Sequence, residues 1–249
     1  MARIGIFGVC GKMGARIARL ALKDKMFSVT ACIENKEHQM IGSSLGKFLE
    51  TTGADITIVD DIKKSNIKEI DCVIDFTLPA GTIEHVAVCE ELDIPMVIGT
   101  TGFDRDSERK IVTASENIPI VFSPNMATGV NVLFNIVREA SRVLGNDFSI
   151  KIDETHHIHK KDSPSGTAKM IARNIEDACG KNPYIEVFRE GEVIGNHGII
   201  FSNEYETLEI RHDAKSRDVF AAGALKAARF IVNKPAGLYT MADVLGFKK

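Results

Sequence analysis

The residues best suited to proton chemistry are gathered in one short stretch. Glu154-Thr155-His156-His157-Ile158-His159-Lys160-Lys161-Asp162 holds three of the seven histidines and two adjacent lysines, and Ser163-Pro164-Ser165-Gly166-Thr167-Ala168 follows directly. An imidazole can give or take a proton near neutral pH. An ammonium pairs with anionic oxygens through charge-assisted hydrogen bonds. Ser163 or Ser165 is placed to cap a helix, with Pro164 suited to its first turn. Gly166 and Thr167 would then offer bare N–H groups at the positive helix end, which is a carboxylate site. Three other readings stand beside this one. The H-x-x-H-like spacing admits a metal site, although no second carboxylate or cysteine cluster completes it. The stretch also reads as a solvated basic loop. In the third reading one or two of these histidines are structural, His159 the first candidate.

A second constellation opens the chain. Ile4-Gly5-Ile6-Phe7-Gly8-Val9-Cys10-Gly11-Lys12-Met13-Gly14 reads as a strand, a glycine turn and a helix start. Gly8 lets the chain turn, Gly11 lets backbone approach a pyrophosphate, and Gly14 lets the helix pack closely on the sheet. The pyrophosphate would lie against the backbone of Gly8, Val9, Cys10, Gly11, Lys12 and Met13, at the positive end of the helix. Glu34 follows the second strand, 20 residues after Gly14. An acid there binds the adenosine ribose hydroxyls of a dinucleotide. Asn35 beside it is neutral and Lys36 offers only a point charge, so NADH is expected to be accepted, with NADPH open.

Three further strand ends carry small polar residues. They are 76–81, Gly99-Thr100-Thr101-Gly102 and Ser123-Pro124-Asn125-Met126. In an open α/β sheet, ligands bind beyond the carboxyl ends of the strands. Gly99, Thr100, Thr101, Ser123, Pro124, Asn125 and Met126 are therefore expected to line the cofactor cleft.

These residues need elements to hold them. Strand-like runs at 3–7, 29–33, 56–59, 72–76, 95–98 and 118–122 alternate with helical patterns at 13–22, 80–91 and 104–115. That rhythm predicts a doubly wound parallel sheet covered on both faces. After residue 122 it changes. A helix at 130–144 and one at 167–178 stand among strand candidates at 149–152, 184–189, 198–202 and 207–212, which suggests an α+β domain with a mostly antiparallel sheet. Helical patterns return at 221–232 and 240–245. The 249 residues, 44% hydrophobic and with a net charge of −3, suit a globular chain with no basic field for nucleic acid or membrane. No apolar run approaches membrane-spanning length. Five scattered cysteines read as reduced thiols in a cytoplasmic protein.

With these residues in view, the chain strongly resembles the dihydrodipicolinate reductase family. Its signature, E-x-H-H-x-x-K-x-D-x-P-S-G-T-A, is filled at every fixed position by Glu154 to Ala168. Similarity extends through Gly8 to Gly14, Asp75-Phe76-Thr77, Gly99 to Phe103, Asn125, Gly129 to Val132 and Arg217. The resemblance implies a Rossmann-type nucleotide-binding domain over 1–127 and a smaller substrate and tetramerisation domain over 128–216 with a mixed, mostly antiparallel sheet. It also implies that 217–249 returns to the first domain. It implies NADH or NADPH as cofactor, a cyclic dicarboxylate as substrate, a homotetramer and no resident metal. His156 would be the catalytic acid and Lys160 a second proton donor. His157, Lys160, Gly166 and Thr167 would hold the substrate carboxylates. Thr155, Leu78 and Asn35 depart from residues common in the family, and Asn35 weakens the case for strict NADPH use.

Overall fold

A computed structural model describes residues 1–247; residues 248 and 249 of the expected C-terminal return lie outside the described residues. The chain forms two compact units. One combines Met1–Met126 with the segment from Phe220 onward, and the other is Ala127–Val219.

The first unit begins with β1 (Ala2–Phe7), α1 (Lys12–Lys23), β2 (Phe27–Ile33), α2 (Leu45–Leu49) and β3 (Ile58–Val59). It continues with β4 (Cys72–Asp75), α3 (Pro79–Glu91), β5 (Met96–Ile98), α4 (Arg105–Ala114) and β6 (Pro119–Phe122). Among the described residues the strands make one seven-stranded parallel sheet, ordered β11-β6-β5-β4-β1-β2-β3, in which β11 is Gly237–Tyr239 near the end of the chain. The order reverses between β1 and β4, which pair directly. The loops leaving those two strands thus meet at the switch point, where such sheets take ligands. Side chains alternate across the sheet with period two. Ile4 and Ile6 pack with Ile17, Ala18 and Ala21 of α1, while Phe7 packs on the other face with Val73, Val86 and Ile111. The α1 positions follow helical spacing, as the sequence predicts.

In the second unit, α5 (Thr128–Leu144), β7 (Ser149–His156), α6 (Gly166–Cys179), β8 (Tyr184–Arg189), β9 (Asn196–Ser202) and β10 (Thr207–Asp213) follow in turn. The sheet order is β10-β9-β7-β8; β9 runs antiparallel to both neighbours, and β7 and β8 are parallel. This is the mixed, mostly antiparallel sheet expected. Leu133, Val137, Ile152, Ile171, Ile175, Ile199 and Phe201 form its core with the two long helices. The chain then returns through α7 (Asp218–Ile231) and β11 to α8 (Met241–Val244).

Two short elements of the first unit escape the sequence pattern. Helix α2 has five residues and β11 three, too few to show a period. Strand β7 extends to His156, beyond the expected 149–152, because its second half continues in register with polar side chains that break the apolar run.

Candidate active site

At the switch point of the first unit the glycine turn has the geometry its sequence calls for. Gly8 has φ +66°, and a Cβ on Gly14 would stand 2.1 Å from the Gly8 carbonyl oxygen. Only glycines let α1 start this close to the turn. Gly11 is the N-cap and has no side chain to cap the helix. The first N–H groups of α1 therefore keep their capacity for an anion. Glu34 leans over the same turn. Its Oε2 accepts the Cys10 N–H at 2.8 Å and its Oε1 the Asn35 N–H at 2.9 Å. A carboxylate oxygen has two lone pairs, so both can still accept ribose hydroxyls. The Cys10 thiol is pushed up to about 12, first by burial and then by Glu34, and stays protonated.

Asp75, fully buried at the end of β4, was not anticipated as a site residue. It accepts from Thr77 N at 2.8 Å and Thr77 Oγ1 at 2.7 Å, and from Thr82 and Thr100 Oγ1 at 3.3 and 3.4 Å. Its other oxygen is 2.7 Å from Nδ1 of His85, whose ring stacks on Phe7 at 3.9 Å between centroids. This buried carboxylate ties the loops after β4 and β5 to the first turn of α3, directly beside the glycine turn. It also engages the Thr100 hydroxyl, so Thr101, which is exposed, supplies the outward hydroxyl of Gly99-Thr100-Thr101-Gly102. Val9 and Met126 are core residues of this unit, leaving only their backbone for a ligand. Ser123 Oγ donates to the Asn125 carbonyl at 3.0 Å and shapes the loop after β6, where Pro124 is exposed.

In the second unit the histidine–lysine stretch begins on β7 and ends in the cap of α6. Ser165 is the N-cap, accepting the Ala168 N–H at 3.1 Å. Pro164 thus precedes the cap instead of standing in the first turn, and Gly166 and Thr167 are the first two helical residues. Glu154, which the sequence marks only as a motif residue, is fully buried. Its Oε1 accepts the Ser165 N–H at 2.9 Å and lies 3.7 Å from Arg189 Nη1. Its Oε2 lies 3.6 Å from His156 Nδ1 and 3.7 Å from His197 Nε2. The His156 and His197 rings meet edge to face, 5.2 Å apart. Sheet register makes these meetings: Glu154 is paired with His197 across β9, and His156 with Arg189 across β8.

Lys160, expected to hold a carboxylate, pairs with one of the chain's own: its Nζ is 2.9 Å from Asp162 Oδ1. That ammonium first, with the backbone at Gly166 a minor help, holds the Asp162 carboxyl below its usual range. Arg189 donates to the Asp162 carbonyl at 2.6 Å and the Phe188 carbonyl at 2.8 Å, pinning the loop to the end of β8. His157 is half-buried, its ring 6.2 Å from that of His159. His159 is 71% exposed, near Glu192, and no packed structural role remains for it.

The electrostatics follow from burial. The His156 pKa is lowered, first by desolvation and then by Lys160 and Arg189, against the opposing pull of Glu154 and Asp162. His197 is driven to about 3, again by burial first, and stays neutral. The ligand atoms of Glu154, His156 and His197 lie within 4.8 Å of one another, close enough to share one small ligand. A buried carboxylate, two imidazoles and an ammonium held on a carboxylate at a helix N-terminus can together bind an anion and move a proton.

Known proteins resemble this chain over its whole length. A family model described as dihydrodipicolinate reductase, N-terminus, matches residues 2–126, and one described as dihydrodipicolinate reductase, C-terminus, matches 129–245. A 4-hydroxy-tetrahydrodipicolinate reductase of Anaeromyxobacter dehalogenans is 37% identical over 100% of this chain and 99% of that protein. Another, from Psychrobacter arcticus, is 37% identical over 99% and 95%. Among solved structures, a dipicolinate-bound dihydrodipicolinate reductase from Paenisporosarcina sp. TG-14 matches with a TM-score of 0.81 at 22% identity, covering 98% of each chain. A DAP dehydrogenase of C. glutamicum in complex with DAP matches at 0.59 with 10% identity, covering 100% of this chain and 96% of the other. At such identities the structural likeness speaks for the fold alone.

Proposed function

The chain belongs to the dihydrodipicolinate reductase family, an oxidoreductase family, and from that premise we propose that it reduces 4-hydroxy-tetrahydrodipicolinate to tetrahydrodipicolinate in lysine and diaminopimelate synthesis. NADH or NADPH supplies the hydride when bound. The glycine turn of the first unit fits such a cofactor, since Gly8 and Gly14 let α1 start against the turn and the Gly11 cap leaves its first N–H groups open to an anion. Gly8 to Met13 hold the pyrophosphate and Glu34 the adenosine ribose. Gly99, Thr100, Thr101 and Ser123 to Met126 line the remainder.

The observation that carries the substrate reading is the pairing of Lys160 with a carboxylate, beside the Gly166 start of α6, in the loop that follows His156. A substrate carboxylate takes the place of Asp162 on these groups, with His157 and Thr167 assisting. His156 then gives the proton and Lys160 supports it. Dianionic substrate raises the proton affinity of an imidazole that burial has lowered, so His156 is charged most readily when the substrate is present. Lys160, with no resident metal, supplies the positive charge.

A homotetramer built through the second unit's sheet is part of the proposal. Ile185 of β8 packs on the core, so by the alternation of a strand Tyr184 and Phe188 stand on the outer face, 70% and 46% exposed. Cytoplasmic location rests on five free cysteines; no helix among the described residues is long and apolar enough to cross a membrane.

The test is NADH oxidation that depends on freshly made dihydrodipicolinate. His156→Ala should lower kcat by about 10²-fold or more with the fold intact. Near-normal turnover would remove His156 from the donor role, and oxidation indifferent to the dicarboxylate would overturn the substrate.

A further inference from the structure

We propose that Glu154 is a positioning residue for His156, acting through one buried water that its Oε2 shares with His156 Nδ1 and His197 Nε2. The inference rests on the reading of His156 as proton donor.

Glu154 Oε2 and His156 Nδ1 are sealed from solvent and make no hydrogen bond among the described residues. Leaving a buried carboxylate oxygen unsatisfied is costly. The separations of 3.6 and 3.7 Å are too long for direct hydrogen bonds. They suit a molecule about 2.8 Å from each atom, and a buried water with three polar partners is an ordinary structural component. Ser165 Oγ also lies 3.5 Å from His197 Nε2. In the proposed arrangement neutral His197 accepts one water hydrogen at Nε2, Glu154 Oε2 accepts the other, and the water oxygen accepts His156 Nδ1–H.

That arrangement selects the Nδ1–H tautomer and leaves Nε2 as the transferable position. Nε2 lies over Gly195, where a Cβ would come within 3.0 Å of it. When the imidazolium gives its Nε2 proton to the substrate, it becomes the neutral Nδ1–H form already held by the water, and a solvent proton restores it. Five groups bear on the ring. Glu154 from its own strand and Asp162 from the following loop favour the proton. Lys160 from that loop and Arg189 from β8 oppose it, and His197 from β9 stays neutral. Among the described residues Glu154 is the anion that stands fully buried beside the ring, its Oε2 3.6 Å from Nδ1.

The test is Glu154→Gln in the full chain, read in two independent ways. The isosteric amide keeps an acceptor for the Ser165 N–H but loses the charge. The kcat at pH 7.5 should fall by about 10–100-fold while KM for the dicarboxylate changes by less than about twofold. The limb of the kcat–pH profile that reports His156 should move to lower pH by about one unit, and Glu154→Asp should recover part of kcat. Separately, 15N spectra of labelled histidine should show His156 passing from the Nδ1–H tautomer to a mixture in the variant. An unmoved pH profile with unchanged His156 resonances would overturn the proposal, as would an activity loss matched only by a fall in Tm. One equivalent of tightly bound zinc in metal analysis of the purified protein would also overturn it, because the three atoms would then be metal ligands. The spectra need no turnover, so they test Glu154 even if His156→Ala shows that the donor reading fails.

Discussion

Asp162 sits on Lys160, the group proposed to hold a substrate carboxylate, and replacing it should tighten binding. The pair it makes with Lys160 spans 2.9 Å, with the side chains 23% and 53% exposed. At such exposure an ion pair contributes only about 0.2–1 kcal/mol. An incoming carboxylate must displace that pair, so Asp162→Asn should lower Kd for dipicolinate, a planar dicarboxylate, by about 1.5–5-fold at low salt. Titration calorimetry at pH 7.5 with saturating NADH measures this directly. Steady-state kinetics should show a lower KM with kcat within about twofold. The gap between variant and parent should narrow as salt screens the half-exposed charges. An unchanged or weaker Kd would refute the reasoning, since Asp162 would then be holding Lys160 in its binding position.

Three other expectations follow from the geometry. Gly14→Ala puts a methyl group where the Gly8 carbonyl oxygen lies 2.1 Å away; overpacking of this kind costs about 1–3 kcal/mol, a Tm loss of about 2–12 °C, and NADH affinity should drop with it. An unchanged Tm would mean that α1 does not start against the turn. His197 is pushed down to about 3, and His156 and His212 are also lowered. Below about pH 6.5 the unfolded chain therefore binds protons that the folded chain refuses. Stability should be level with respect to these groups above that pH and fall toward pH 3, by roughly 1.4 kcal/mol per unit for His197, with His156 and His212 adding to the slope in the same direction. Urea midpoints from pH 7.5 to 4.5 should slope less in His197→Gln, and an equal slope would remove His197 as a cause. Glu34 with neutral Asn35 should accept NADH, so a kcat/KM ratio favouring NADPH by more than about a hundredfold would contradict the ribose reading.

Part of this protein is legible along the chain because the physics is local. Gly8, Gly11 and Gly14 announce a turn whose shape depends on a few consecutive residues. The apolar positions of α1 repeat with the helix period, and Ser165 caps α6 through its own neighbours. The alternation of runs up to Phe122 is enough to expect a parallel sheet, and the change of rhythm after it a mixed one. What surrounds His156 is different. His197 and Arg189 belong to strands with no motif, and they reach Glu154 and His156 only through the register of β7 with β9 and β8. The sealing of Asp75, the engagement of the Thr100 hydroxyl and the burial of Val9 and Met126 are likewise invisible in residue type. The amino-acid sequence by itself therefore determined which groups could turn, cap, pair or titrate. Tertiary structure decided which of them are desolvated together, because burial and register depend on residues far apart in the chain and no local pattern records them.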